Sequence, residues 1–204
     1  MTDARVLAPD DAKWEPLTPQ QVAELLRGVD APWWIAGGWA LDLFLGRQLR
    51  AHNDIDIAIF RSDAENLRRH LSGWEMFVAE AGTFTRWETG VLPAAAHELW
   101  CRERGRETWQ LEVLIEERKD GRWSYRRNDR IGANEKDIGR FTNDGVPYIR
   151  PDIQLLYKSK GARAVDESDL LAVLPRLDVA QRATLSAWIS AGDPTHRWVA
   201  RLAS

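Results

Sequence analysis

Residues 33–60 have the sequence WWIAGGWALDLFLGRQLRAHNDIDIAIF. The apolar residues 33–36 predict a short β-strand that ends at a pair of glycines. The helical spacing of residues 39–45 then predicts a short helix. Residues 53–60 alternate aspartate with isoleucine, which is the period of two that a β-strand requires. A strand, a glycine turn, a helix and a second strand therefore decide the fold.

The segments on either side complete an α+β pattern, a mixed β-sheet flanked by helices with a small C-terminal helical unit. The predicted helices are 19–27, 62–70, 153–160, 167–174 and 178–190. Capping boxes begin the first two, formed by Thr18 with Gln21 and by Ser62 with Glu65. The further predicted strands are 74–79, 84–87 and 108–117. The polar stretch 128–145 is a candidate linker. We expect a catalytic domain over residues 1–146 and a helical unit over residues 147–204 that could belong to the same domain.

The composition is typical of an ordinary globular protein, with 44% hydrophobic and 29% charged residues in 204. No apolar run approaches the roughly 20 residues needed to cross a bilayer, and residues 1–9 lack the pattern of a secretory signal. The single cysteine, Cys101, excludes an internal disulfide framework and a cysteine-rich zinc site. The net charge of −3 argues against a protein that coats nucleic acid. We therefore expect a cytoplasmic protein.

Two acidic residues stand on the predicted strand 53–60. Asp54 and Asp56 are two positions apart, so both carboxylates point the same way, about 7 Å from each other. Neighbouring carboxylates repel, and a hard divalent cation such as Mg²⁺ relieves that repulsion. An isolated pair of this kind is more often a solvated face of a strand than a metal site.

The glycine pair changes that balance. Gly37 and Gly38 end one strand and open a helix, where backbone N–H groups and the helix dipole can bind a phosphate. A lone glycine pair is more often an ordinary turn. Together with Asp54 and Asp56, however, it supplies donors for a triphosphate and ligands for a metal, which is what nucleotidyl transfer requires.

The same stretch resembles the signature of the polymerase-beta-like nucleotidyltransferases, and within them the antibiotic (aminoglycoside and lincosamide) nucleotidyltransferases. The matching residues occur in the family's order: Gly37, Gly38, Trp39, Asp42, Gly46, Arg47, Arg50, His52, Asp54 and Asp56. The resemblance continues through WQLEVLIEE, WSYRRN and PYIRPDIQLLYKSK and so covers most of the chain. One departure is Val165, which precedes Asp166 where relatives often have lysine.

The resemblance implies a third acidic residue on a neighbouring strand. We assign it to Glu112, on the polar face of the strand 108–117, with Glu116 as the alternative. Glu112 would be a metal ligand or the general base that takes the proton of the acceptor hydroxyl. The competing interpretation is a solvated acid at the edge of the sheet.

Basic and polar residues around the pair are candidates for binding the nucleotide or orienting its ligands. The nucleotide-binding candidates are Gly37, Gly38, Arg50, His52, Arg127 and Lys158. His52 could equally be a hydrogen-bonding support for its loop. Asp42, one helical turn past the glycines, is expected to support Arg47 or Arg50. Arg126 and Lys160 are expected to be solvated surface.

The predicted reaction is transfer of AMP from ATP, or of another nucleoside monophosphate, to a hydroxyl of a small molecule such as an aminoglycoside or lincosamide. Asp54, Asp56 and Glu112 would hold Mg²⁺, with two ions expected. One alternative is a toxin-like nucleotidyltransferase that modifies tRNA or a protein, with the basic stretch WSYRRNDR, residues 123–130, as docking surface. Another is a nucleotide-binding domain without catalysis.

Overall fold

The computed structural model describes residues 5–6, 13–80 and 82–203; most of residues 1–9 therefore lies outside the described part. The strands are β1 (Arg5–Val6), β2 (Trp33–Ile35), β3 (Asp56–Phe60), β4 (Trp74–Glu80), β5 (Thr83–Arg86), β6 (Glu98–Glu103), β7 (Leu111–Lys119), β8 (Arg122–Ser124), β9 (Gly132–Asn134), β10 (Gly139–Phe141) and β11 (Pro147–Ile149). The helices are α1 (Pro19–Leu25), α2 (Gly37–Leu45), α3 (Ala64–His70), α4 (Pro151–Ser159), α5 (Ala164–Val173), α6 (Val179–Ser190) and α7 (Arg197–Leu202).

The main sheet is mixed and has β3 near its centre. Its strand order is β1-β5-β4-β6-β7-β3-β2-β11-β10, and β8 and β9 extend from the far end of β7. β3 runs parallel to β7 on one side and antiparallel to β2 on the other. A strand in this position has no free edge, so its backbone groups are paired on both sides.

Both faces of β3 are covered, which explains its run of apolar residues. Ile57 and Ile59 are fully buried in one hydrophobic cluster with β2, β7 and helix α3. Ala58 and Phe60 are fully buried in a second cluster, formed with helices α2, α4, α5, α6 and α7. The strand that begins with Asp56 is thus packed between two hydrophobic clusters.

The α+β architecture and most elements agree with the sequence predictions. The capping box of Thr18 and Gln21 is present at α1, and that of Asp178 and Gln181 at α6. The strands predicted at 74–79, 84–87 and 108–117 are found as β4, β5 and β7 with shifted ends. The sequence did not predict β1, β6, β8, β11 or α7. The boundary proposed at residue 147 coincides with the start of β11, a strand of the main sheet, and the division into two units stays a prediction.

The glycine pair opens a helix as predicted, with α2 beginning at Gly37 itself. Three other local predictions were wrong. The strand predicted over 53–60 begins only at Asp56, so Asp54 lies in the segment before β3. The predicted linker 128–145 contains β9 and β10, which pair with β8 and β11. Ser62 does not cap a helix: its hydroxyl accepts a hydrogen bond from Arg118, and Glu65 instead binds Arg68 within α3. A better partner elsewhere in the fold outcompeted the local capping interaction.

None of the helices in the described part of the chain has the length and apolar character needed to cross a membrane.

Trp198 tests how strongly α7 supports the second core. Its side chain is fully buried, and its Nε1 donates a hydrogen bond to Glu167 at 2.6 Å. Replacing it with alanine removes both the packing and the donor, so we expect Trp198→Ala to lower the free energy of unfolding by about 3–5 kcal/mol. Urea denaturation measures this change. The control is Val179→Ala, at a side chain that is 85% exposed. A similar small change in both variants would contradict the prediction.

Candidate active site

The register of three strands brings the acidic residues together. Asp56 on β3 is the direct partner of Glu112 on β7. The Glu112 N–H donates to the carbonyl of Ile55 at 2.9 Å, and the Ala36 N–H donates to the carbonyl of Asp56 at 2.8 Å. One carboxylate oxygen from each of Asp54, Asp56 and Glu112 lies within 4.8 Å of the others. Three hard oxygen donors at this spacing fit a divalent cation such as Mg²⁺.

Gly37 allows the backbone of α2 to approach the acidic cluster. A Cβ atom at this position would lie 1.8 Å from Oδ2 of Asp56, and the backbone has a φ of +62°. Both facts exclude a side chain there. The Gly37 N–H donates to Oε1 of Gln154 at 2.9 Å. The Gly38 N–H also belongs to the first turn, whose N–H groups have no acceptor within the helix, so it can face a phosphate.

The cluster carries more negative charge than its surroundings can neutralise. Burial is the main cause that raises the pKa of Asp56 to about 7, followed by the charge of Asp54, while Lys158 acts in the opposite direction. Burial and then the charge of Asp56 raise the pKa of Glu112 well above its ordinary value. A proton or a cation is needed to relieve this repulsion near neutral pH.

His52 lies behind the glycine pair. Its Nε2 forms a hydrogen bond with Oδ2 of Asp42 at 2.6 Å, and its ring lies against Trp39 at a centroid distance of 4.6 Å. A Cβ on Gly38 would lie 2.5 Å from its Cε1. This packing corresponds to the supporting role that was one of two hypotheses. The expectation that Asp42 supports Arg47 or Arg50 was wrong, because its carboxylate binds His52 and the backbone N–H of Leu49.

Two basic residues reach the site from different directions. Lys158 on α4 is buried, and its Nζ lies 3.2 Å from Asp166 and 2.9 Å from Asp169. The Arg50 guanidinium lies 3.8 Å from the same Asp169 and is partly exposed. Asp169 therefore fixes both cations at the edge of the acidic cluster, as expected of positioned charges rather than solvated ones.

The predicted residues share one open cleft of about 570 Å³. It is lined by Gly37, Gly38, Arg50, Asp54, Asp56, Glu112, Arg127 and Lys158, and by residues that the sequence did not single out as ligands, among them Glu98, Gln154, Tyr157 and Arg163. Of the predicted site residues only His52 does not line it. Lys160, expected to be plain surface, does.

Glu98 and Glu116 have different surroundings. Glu98, at the start of β6, lines the cleft. Burial raises the pKa of its carboxyl group, and this side chain has no hydrogen bond or ion pair among the described residues. Glu116, the alternative third acid, is buried away from the cleft and accepts hydrogen bonds from Trp123 at 2.7 Å and from the Tyr157 hydroxyl at 2.6 Å. Oε2 of Glu116 accepts both of these hydrogen bonds, which hold its carboxylate in the core, and Glu112 is the acid beside the pair.

Comparison with known proteins gives the same fold and a partial family match. The model of the aminoglycoside-2''-adenylyltransferase family matches residues 20–93. The structure of lincosamide antibiotic adenylyltransferase LnuA with lincomycin bound superposes with a TM-score of 0.52 and 18% identity over 76% of this chain and 92% of that chain. No curated protein sequence matches the chain.

Two structures of ANT(2'')-Ia are similar as well. The solution structure of this antibiotic-resistance factor has a TM-score of 0.55 and 18% identity over 84% of this chain and 89% of that chain. Its complex with adenylyl-2''-tobramycin has a TM-score of 0.54 and 17% identity over 85% of this chain and 97% of that chain. These structures confirm the nucleotidyltransferase fold, and the family model over residues 20–93 agrees with the predicted resemblance to the antibiotic nucleotidyltransferases.

Gly37 provides a test of the close approach between α2 and β3. We expect Gly37→Ala to weaken Mn²⁺ binding at least about tenfold, because the new methyl group displaces the Asp56 carboxylate. Calorimetric titration with Mn²⁺ measures the loss. The matched control is Gly28→Ala, since Gly28 has a φ of +77° but nothing within 4 Å of its Cβ position. Equal Mn²⁺ affinity in the two variants would show that the contact with Asp56 is unimportant.

Cation binding should depend on pH in a defined direction. Asp56, with a pKa raised to about 7, must lose its proton to bind a metal. We therefore expect Mn²⁺ affinity to rise as the pH passes upward through about 7, and binding at the lower pH to release protons. Titrations in buffers of different ionisation enthalpy measure this release. In Asp56→Asn the rise should shrink; an affinity that is flat between pH 6 and pH 8 in the unmodified protein would refute the assignment.

Proposed function

We propose that this chain is a nucleotidyltransferase related to the antibiotic nucleotidyltransferases and that it transfers AMP from ATP to a hydroxyl of a small molecule. The observation that carries the proposal is the convergence of Asp54, Asp56 and Glu112 opposite the first turn of α2, within one cleft of about 570 Å³. An acidic cluster that can hold a cation, facing backbone donors that can hold a phosphate, matches the requirements of phosphoryl chemistry.

The acidic cluster is the proposed site of Mg²⁺, and two ions are proposed. Asp54, Asp56 and Glu112 supply carboxylate oxygens, the ligand type that Mg²⁺ prefers. Bound there, the metal would neutralise phosphate charge. The raised pKa values of Asp56 and Glu112 support this role, because burial and then the neighbouring carboxylates disfavour their charged forms, and a bound cation would favour them.

The remaining residues position the triphosphate and the acceptor. The Gly38 N–H and the side chains of Arg50, Arg127 and Lys158 are proposed to bind the phosphates. The acceptor oxygen forms a bond to the α-phosphorus, the bond from that phosphorus to the bridging oxygen breaks, and pyrophosphate leaves. Glu112 is proposed to take the proton of the acceptor hydroxyl. Most of the rate enhancement would then come from positioning and electrostatics.

A basic, hydroxylated acceptor such as an aminoglycoside is favoured by the carboxylate of Glu98 in the cleft. Glu98 presents a carboxylate without a fixed partner among the described residues, and such a group attracts an ammonium. One similar structure contains an adenylylated tobramycin and another contains lincomycin. A lincosamide is therefore the second acceptor to be tested, and antibiotic resistance is the biological role that either acceptor would imply.

Modification of tRNA or protein gains no support from the basic stretch 123–130. Trp123 and Tyr125, the aromatic residues of this stretch, are buried and so form no exposed docking surface for an RNA or a protein. The Arg127 guanidinium packs over the ring of Tyr157 at 5.5 Å.

The alternative of a domain without catalysis would gain support from a remote third acid, and Glu112 is not remote from Asp54 and Asp56. A cytoplasmic location stays part of the proposal; Cys101 is buried as a free thiol, as a reducing compartment would allow.

Removal of one carboxylate charge tests the chemistry. We expect Asp56→Asn to reduce AMP transfer by more than about 100-fold. Mutating a residue that only hydrogen-bonds to a metal ligand already lowers metal affinity or activity by up to about 100-fold, and Asp56 is proposed to bind the metal itself. Pyrophosphate release in the presence of ATP, Mg²⁺ and acceptor measures the rate, and circular dichroism checks the fold. The control is Glu107→Gln, at an exposed acid outside the cleft. An Asp56→Asn protein with the original rate would exclude the mechanism.

The acceptor is identified by mass spectrometry. The protein is incubated with Mg²⁺ and ATP, alone and with a panel of aminoglycosides and lincosamides, and each antibiotic is examined for the mass increase of one AMP. We expect an adduct on at least one hydroxylated, amine-bearing member of the panel. Labelled tRNA and whole-protein lysate are included in parallel. An adduct on RNA or protein with none on the panel would replace the proposed acceptor class.

A further inference from the structure

A second cavity of about 590 Å³ adjoins the catalytic cleft. It lies between the segment that follows β8 and the helices α4 and α6. Its apolar walls include Tyr125, Ile131, Leu156 and Trp188, and its polar and charged groups are Arg127, Asn128, Ser159, Lys160, Asp193 and His196. A cavity of this size with aromatic walls and polar groups that can orient a ligand is typical of a site for a small organic molecule.

The two cavities meet at two cations. Arg127 and Lys160 are the residues that line both of them. Nη1 of Arg127 donates hydrogen bonds to the Tyr125 hydroxyl at 3.3 Å and to the carbonyl of Tyr157 at 3.4 Å, which holds the guanidinium at this junction. A ligand that extends through the junction is therefore favoured if it is negatively charged there, and a polycationic acceptor is repelled.

The walls of the second cavity suit a flat, uncharged ring. Trp188 is half-buried and lies 5.9 Å from Trp123, and the Tyr125 ring is fixed edge-on against Tyr157 at 5.0 Å. Fixed aromatic side chains stack on nucleobases with little selectivity among them. Oδ1 of Asn128 accepts a hydrogen bond from the Arg130 N–H, while its Nδ2 has no acceptor among the described residues and can donate to a ring nitrogen.

We propose that the second cavity binds the nucleobase of the nucleoside triphosphate, with the phosphates passing between Arg127 and Lys160 to the acidic cluster. This inference rests on the proposed function and assigns the two cavities separate tasks. The base occupies the aromatic cavity, and the cleft with Glu98 is left for the acceptor. Trp188 and Asn128 are then binding residues that the sequence did not single out.

Filling the cavity is the sharpest test. Gly192 lines it, has no left-handed backbone conformation, and would carry a Cβ in ordinary contact at 3.6 Å from the Ile189 carbonyl oxygen, so Gly192→Phe adds bulk without backbone strain. Trp188→Leu removes the aromatic wall but keeps apolar volume. The matched control is Gly73→Phe, because Gly73 is exposed with nothing within 4 Å of its Cβ position.

Calorimetric titrations with Mg²⁺ use two probes, α,β-methylene-ATP and inorganic tripolyphosphate. We expect Gly192→Phe and Trp188→Leu each to weaken binding of the nucleotide analogue by about tenfold or more, which is the range of base stacking, with tripolyphosphate affinity unchanged. Gly73→Phe should bind both probes as the unmodified protein does. Nucleotide affinity unchanged in both cavity variants would overturn the inference, as would an equal loss for tripolyphosphate.

The same titrations separate this inference from the proposed function. If the unmodified protein binds the analogue in the aromatic cavity but no antibiotic acquires AMP, the acceptor is wrong and the base site stands. If the cavity variants bind the nucleotide normally but lose modification of an acceptor, that cavity takes the acceptor instead, and the inference fails while nucleotidyl transfer stands. A protein that binds no nucleotide at all contradicts both.

Discussion

The pairing of β3 with β2 and β7 is the constraint on which the rest of the structure depends. Hydrogen bonds from the Ala36 N–H to Asp56 and from the Glu112 N–H to Ile55 fix three chain segments in one register. A slip of one residue would turn Asp56 into the core and Ile57 toward the cleft, because side chains alternate along a strand. The two buried clusters on either side of β3 make that slip costly, so packing specifies the position of the carboxylates.

The same register makes the site electrostatically unfavourable in the absence of a cation. Asp56 and Glu112 are direct partners across two parallel strands, and both have a raised pKa. A carboxyl group whose pKa is higher in the folded than in the unfolded chain binds more protons when folded. Its contribution to stability is therefore lost as the pH rises through the folded pKa. Lys158 offsets part of this cost, but it is itself shared with Asp166 and Asp169.

Local sequence patterns were sufficient for the parts of the site that lie close together along the chain. Alternation identified the strand that begins at Asp56, although Asp54 lies just before it, and the glycine pair marked the start of α2. The contact between Gly37 and Gln154 joins residues 117 positions apart, and no local pattern reports such a contact. Glu98 was missed because β6 was missed: its sequence ELWCRE mixes acidic, basic and aromatic residues, so its polar face does not stand out.

The predictions that were wrong concern competition between local and distant partners. Ser62 had the position of a helix cap, yet Arg118 from β7 binds its hydroxyl. Asp42 had the spacing to reach an arginine, yet His52 lies nearer in the folded chain and forms a hydrogen bond of 2.6 Å with it. In both cases the residue type was informative, since each side chain does accept a hydrogen bond. The identity of the donor depended on the tertiary structure.

The composition of the second core has a consequence for the order of events during synthesis. Ala58 and Phe60, beside the aspartates, pack in one cluster with Leu185, Trp198 and Leu202. These contacts join residues more than a hundred positions apart, and contacts of that sequence separation form slowly. The segment that carries the chemistry therefore leaves the ribosome well before the residues that cover it. Until α7 has been made, the apolar face of β3 is available to chaperones, and to other nascent chains, instead of to its own helices.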